Sequence, residues 1–237
     1  YKYDFFFFLN PITETEIEQL ETLITSLSRL QGLPMYDWVE GLLTNLRYRF
    51  GLRGTEANFI GFEQNRDMAG LRHLSNLTNC IIKHQPVVID YHPFGKEVIQ
   101  WTIHPYYLKQ YNNRWYLLGY NPEFDDLSII PLDRIENVTY SEVTFKRNLD
   151  FNFDAYFRDI LGISIEKDKE VEHIRLKFSP QRLPYVISKP IHHTQKVEDA
   201  AEGIISLYLI PNKELVSELI WFRDDVEILS PESLREE

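Results

Sequence analysis

The chain has 237 residues, 43% of them hydrophobic and 26% charged, which is enough apolar material for one large domain or two to three small ones. Its one cysteine, Cys80, excludes an intrachain disulfide and fits a reducing cytoplasm. A formal charge of −11 excludes a surface that grips phosphate throughout, and the longest apolar run, Phe5 to Leu9, is too short for a signal-peptide core or a membrane helix.

The first nine residues read as an aromatic strand without a hairpin partner in the sequence. Thr13-Glu14-Thr15-Glu16 follows as a capping box, in which the Thr13 hydroxyl accepts from the amide three residues on while Glu16 reaches back. Ile17, Leu20, Ile24, Leu27 and Leu30 then recur at helical spacing until Gly32 and Pro34 stop the run. A second helix is predicted from Pro34 to Phe50, with Trp38, Leu42 and Leu46 on one side. These two helices read as a linker or dimerising hairpin within 1–72. A third helix, around Leu71 to His84, carries Leu74, Leu77 and Ile81 inward and ends before Pro86.

Short, β-branched and aromatic segments come next. Strands are predicted at Val87 to Tyr91, Glu97 to Tyr111, Arg114 to Tyr120, Leu127 to Ile130 and Glu136 to Phe145. Turns fall at Phe94-Gly95-Lys96, Asn112-Asn113 and Asn121 to Asp126, and Pro105 predicts a bend or an edge position. One helix followed by five bent antiparallel strands suggests a small barrel over 73–147. Charge is nearly balanced there, with 7 Lys/Arg against 8 Asp/Glu, so a local basic patch is possible. Residues 148–237 carry 11 against 18 and make a poor nucleic-acid surface. That last third reads as a short helix at Asp154 to Leu161, then β-α-β-β-α-β: a strand at Val171 to Phe178, a helix at Pro180 to Ser188, a hairpin around Gly203, a helix at Lys213 to Phe222 and a strand at Val226 to Leu229. This is the ferredoxin-like order.

Four blocks carry a family resemblance: Ile89-Asp90-Tyr91, His104-Pro105-Tyr106-Tyr107-Leu108, Arg114-Trp115-Tyr116-Leu117-Leu118-Gly119-Tyr120 and Leu132-Asp133-Arg134-Ile135. In order and spacing they resemble WYL-domain transcriptional regulators of the Bacteroidetes type. Pro190 to Gln195, Pro211 to Leu215 and Val226 to Leu234 resemble the C-terminal extension of that family. The resemblance implies an α+β chain: a helical linker over 1–72, an Sm- or SH3-like β-barrel over 73–147 and a ferredoxin-like extension over 148–237. It implies a cytoplasmic homodimer whose barrel binds a regulatory ligand, single-stranded nucleic acid in several members. Duplex DNA would be met only through an N-terminal helix-turn-helix, expected to precede Tyr1. Many members carry a Phe-Arg pair before the fourth block; here Ile130 and Pro131 stand there, so one expected cation is missing.

The candidate ligand surface comprises Tyr91, His92, His104, Tyr107, Lys109, Arg114, Tyr116 and Arg134, since rings beside cations suit a stacked base and its phosphate. Strand alternation places His104, Tyr106 and Leu108 on one face and Tyr107 and Lys109 on the other. Trp115 and Leu117 read as core, opposite Tyr116 and Leu118. Plainer readings stand beside these: His104 bonding backbone at a bend, Asp133-Arg134 forming a salt bridge or turn clamp, and Lys109 and Arg114 as solvated charges flanking a turn. His192-His193 reads as structural, because adjacent residues on an extended chain point apart. Cys80 reads as packed. No nucleophile elbow, phosphate-cradling glycine loop, His-Glu-x-x-His or cysteine pair is present, so neither an enzyme nor a cofactor is expected. The ligand is expected to be single-stranded nucleic acid or a nucleotide. The alternatives are a sensor of a small anionic molecule and a pure interaction scaffold.

Overall fold

The computed structural model describes residues 19, 48, 70–148, 151–164 and 169–235. The predicted strand at 1–9 and the helices within 13–50 lie outside the described residues, apart from two isolated positions. Within them the chain is mixed α and β, with two antiparallel sheets.

Helix α1, Leu71–Ile82, buries Leu74, Leu77 and Cys80, the face that the helical spacing marks. It packs on a five-stranded sheet built from β1 (Val87–Tyr91), β2 (Ile99–Tyr111), β3 (Arg114–Asn121), β4 (Asp126–Pro131) and β5 (Ile135–Tyr140), in the order β4-β3-β2-β1-β5. Strands β4 and β5 end the sheet, and a single 3-10 turn, Leu132–Arg134, joins them. The sheet is therefore open in its pairing rather than a closed ladder. Val87, Ile89, Ile103, Leu117 and Ile130 meet α1 in one buried cluster. Cys80 lies in that cluster, and burial pushes its thiol above the usual range. It is expected to resist alkylation in the folded protein and to react at once in denaturant, which mass spectrometry of reagent-treated samples reads directly.

Two details differ from the sequence reading. The strand predicted to run to Phe145 stops at Tyr140, which pairs with Val87, the first residue of β1; the Ser141 amide still donates to the Pro86 carbonyl at 2.9 Å, and the pairing ends there. The larger difference is in β2. Pro105 pairs with Gly119 but Tyr107 pairs with Leu118, so Tyr106 is an extra residue and the strand bulges. Alternation changes sense there. Leu108, opposite Leu117, faces the core. His104, opposite Tyr120, shares the outer face with Tyr107 and Lys109, which oppose Leu118 and Tyr116. The expectation that His104 and Leu108 share a face is thus corrected by one inserted residue.

Helix α2, Phe153–Arg158, is capped by the Asn152 side chain, which accepts from the Ala155 amide. It leads to the second sheet: β6 (Glu172–Phe178), helix α3 (Leu183–Ser188), β7 (Lys196–Asp199), β8 (Ile204–Leu209), helix α4 (Lys213–Phe222), β9 (Val226–Ser230) and a terminal turn of helix, α5 (Glu232–Arg235). The strand order is β7-β8-β6-β9, all antiparallel. One face of β6 (Ile174, Leu176, Phe178) and one of β8 (Ile205, Leu207, Leu209) bury against α3 and α4. Among the described residues, no helix is long and apolar enough to cross a membrane.

Candidate functional site

The turn between β4 and β5 builds the site. Gly70, at φ +95, begins α1 directly on this turn: a Cβ there would lie 2.2 Å from the Leu132 carbonyl oxygen. The turn presents Arg134. Its Nη1 donates to the Tyr91 hydroxyl at 3.3 Å, and its guanidinium carbon lies 4.0 Å from the centre of the Phe94 ring. Its Nε is buried and finds no acceptor among the described residues. Below it, Tyr91 stacks on Trp101 with centroids 4.8 Å apart, and Trp101 meets the edge of Phe124 at 5.6 Å. Phe94 and Phe124 are 73% and 56% exposed, so much of each ring is open to solvent. His92 stands beside them: its amide donates to the Arg134 carbonyl at 2.9 Å, and its Nδ1 lies 2.8 Å from a Glu136 carboxylate oxygen. The result is one cation among four aromatic rings.

Of the eight predicted residues, only Tyr91, His92 and Arg134 are brought together here. Arg114 is tied up by the turn itself, 3.2 Å from the Asp133 carboxylate, so the ion pair at this turn comes from β3 rather than from the neighbouring Arg134. Tyr107 stacks on Phe153 at 4.8 Å and leans on Phe157, and the Lys109 ammonium sits 3.8 Å above the Phe157 ring. Burial holds the Lys109 amine below its usual range. Both residues dock α2 on the outer face of the sheet, where Tyr116, half-buried, lies opposite Lys109. Phe94, Trp101 and Phe124 are absent from the predicted set. Two of them sit in segments read as turns, and the one available signal was a large ring in a turn that needs none.

His104 is pinned, as its plainer reading had it. It is 4% exposed, and its Nδ1 accepts from the Lys146 amide at 3.0 Å. Tyr106 donates to the Lys146 carbonyl at 2.7 Å, and the Phe145 ring lies between His84, His104 and Tyr106. A strap at 145–146 thus closes the outer face. Burial, and then the Lys146 charge, hold the His104 imidazole below its ordinary value; burial does the same first for His73 and His192. His192 is buried with Nδ1 2.8 Å from the Thr194 hydroxyl, a structural contact.

All three histidines are favoured neutral in the fold. Their contribution is therefore complete above the unfolded value, near pH 6.5, and is lost as pH falls from there through the lowered folded values. Melting temperature is expected to fall steadily between about pH 7 and about pH 5, and His104→Asn is expected to flatten that slope. A pH series of thermal melts checks both.

Residues 72–140 match the WYL domain and residues 170–237 match the WCX domain. No curated protein matches the chain. Among solved structures it is similar to proteasome accessory factor B/C (PafBC) of Arthrobacter aurescens, with 16% identity, a TM-score of 0.33, and coverage of 93% of this chain and 34% of that one. It is also similar to a CRISPR Cas-related protein, with 12% identity, a TM-score of 0.48, and coverage of 96% and 71%. The chain spans about a third of the length of the accessory factor.

Proposed function

Since the chain belongs to the WYL-domain family, we propose that it is the effector-sensing region of a transcriptional regulator and that its ligand binds on the Arg134 face. The observation that carries this reading is the Arg134 guanidinium, held between the Phe94 ring and the Tyr91 hydroxyl with its Nε unpartnered. A planar cation among exposed rings stacks a base and pairs with its phosphate. The ligand in this reading is single-stranded nucleic acid or a nucleotide. The first sheet with α1 is taken as an Sm-like barrel and the second as a ferredoxin-like extension. Duplex DNA is left to a helix-turn-helix head, and two copies work together, so that ligand binding biases the spacing of paired heads. The region senses rather than catalyses.

Arg134→Ala is expected to weaken binding of a short oligothymidylate at least about tenfold, while Arg114→Ala, whose cation is already occupied by Asp133, leaves it within about twofold. Fluorescence anisotropy with labelled oligonucleotide reads both. Wild-type protein that binds neither oligonucleotide nor nucleotide would overturn the proposal.

A small anionic ligand is the second reading, and one observation favours it. Of the three predicted cations, Arg114 is tied to Asp133 and Lys109 to Phe157, which leaves Arg134 at the face. A single strand neutralised by one or two cations has a shallow salt dependence, with a log–log slope near about −1. Tighter binding of a mononucleotide than of the oligonucleotide would select this reading.

A further inference from the structure

The turn between β3 and β4 touches both faces of the first sheet. It is anchored by Asn121, which is fully buried: its side-chain oxygen accepts from the Glu123 amide at 3.0 Å and its carbonyl from the Phe124 amide at 3.2 Å. Phe124 meets Trp101 at the ligand face. Asp125, the next residue, meets the outer face instead. It holds φ +48, a left-handed conformation that aspartate and asparagine adopt more readily than most residues. Its carboxylate accepts from the Tyr120 hydroxyl and lies 3.5 Å from the Lys146 ammonium, which sits 3.5 Å above the centre of the Tyr120 ring. The Tyr120 hydroxyl first, and then the Lys146 charge, hold the Asp125 carboxyl below its usual range.

Lys146 is engaged through every polar group it has. Its amide donates to buried His104, its carbonyl accepts from Tyr106, and its ammonium meets Asp125. It belongs to the segment 141–148, which in chain order leads from β5 toward α2. That path continues into the second half. The Asn148 side chain clasps the Phe151 backbone at 2.7 and 3.1 Å, and the Phe151 ring lies 4.9 Å from that of Phe153, which is stacked on Tyr107. Two adjacent residues, Phe124 and Asp125, thus contact the ligand face and the strap between the sheets. The contact to the strap is the weaker part. The Asp125 and Lys146 side chains are 85% and 54% exposed. An ion pair in that much solvent adds little to the fold, and suits a contact that is made and released.

We propose that Asp125 and Lys146 form a latch that couples occupancy of the ligand face to the strap. A ligand stacked on Phe124 fixes the 121–126 turn, Asp125 is thereby held on Lys146, and the strap is held against β2 and β3. Asp125 and Lys146 are positioning residues and do not touch the ligand. The coupling is reciprocal: the factor by which the ligand tightens the latch is the factor by which the latch tightens the ligand. The proposal rests on the reading of the Arg134 face as the ligand site and adds the route by which that site reaches the second half.

Hydrogen–deuterium exchange of peptides covering 141–148 in the 237-residue chain tests it, with a short oligothymidylate and thymidine monophosphate as probes and their affinities measured alongside. A saturating probe is expected to slow exchange there about two- to fivefold, the range open to an exposed ion pair. Asp125→Asn keeps the side-chain shape and the left-handed backbone but removes the charge, and Lys146→Met keeps the stem but removes the ammonium. Each is expected to abolish the slowing and to weaken probe binding about two- to fivefold, and the two together no more than either alone. Lys146→Arg is expected to restore both. A probe that binds without changing exchange at 141–148, or a slowing that survives either change, overturns the latch and leaves the ligand face standing. A wild type that binds neither probe overturns the ligand reading and the latch with it.

Discussion

Gly70→Val is expected to cost about 2–5 kcal/mol of stability and to weaken ligand binding at the Arg134 face together with it. Two effects add. At φ +95 a residue with a β-carbon is strained by about 1–2 kcal/mol. The new Cβ would also lie 2.2 Å from the Leu132 carbonyl oxygen and 2.6 Å from the Asp133 amide nitrogen, both backbone atoms that cannot swing aside. Overpacking of that kind costs about 1–3 kcal/mol more. Relief requires the start of α1 and the turn at 132–134 to move apart, and lifting the turn carries Arg134 away from Tyr91 and Phe94. Gly95→Ala is the control: φ is +69, but nothing lies within 4 Å of the added carbon, so conformational strain acts there alone. Urea denaturation and oligonucleotide titration of both variants give the answer. Equal losses would mean that the close approach beneath the turn contributes nothing.

Leu207→Ala is expected to destabilise the second sheet by about 2–5 kcal/mol while leaving the ligand face intact. Leu207 is fully buried in the middle of β8, opposite Ile174 of β6, with α3 and α4 packed over the same face. Its cluster shares no residue with the one that holds Tyr91 and Leu132. The variant should melt in two steps, and oligonucleotide binding should survive the first. One link between the halves is the stack of Tyr107 on Phe153 and Phe157. If melting stays a single transition and takes binding with it, that stack makes the two sheets one cooperative unit.

Most elements could be read in the residues. Leu74 and Leu77 marked the buried face of α1, and Asn112-Asn113, with φ of 46 and 56, closes the β2–β3 hairpin as its polar pair suggested. What escaped depended on distant partners. The Lys146 amide that fixes His104 lies 42 positions away, and no local pattern announces it. Glu136 to Phe145 reads as one strand by composition, but Phe145 is drawn instead to His84, His104 and Tyr106, a tertiary contact that overrides propensity. The site was half legible for the same reason. Tyr91 and Arg134 belong to recognisable blocks, whereas Phe94 and Phe124 acquire meaning only once the turns that hold them lie beside Trp101 and Arg134. Lys109 and Arg114 looked like free cations until an aromatic ring and a carboxylate came within 4 Å of them.

The bulge at Tyr106 works like a reading frame. Upstream of it one parity of residues points inward, and downstream the other parity does. Loss of one residue there would not merely shorten the strand. Either the outward Tyr107 and Lys109 would turn toward α1 and Leu108 toward α2, or the whole hairpin would have to slide against β1 to prevent it. Chains related to this one can therefore exchange side chains along β2 one at a time, but they can change its length at this point only by rebuilding the sheet.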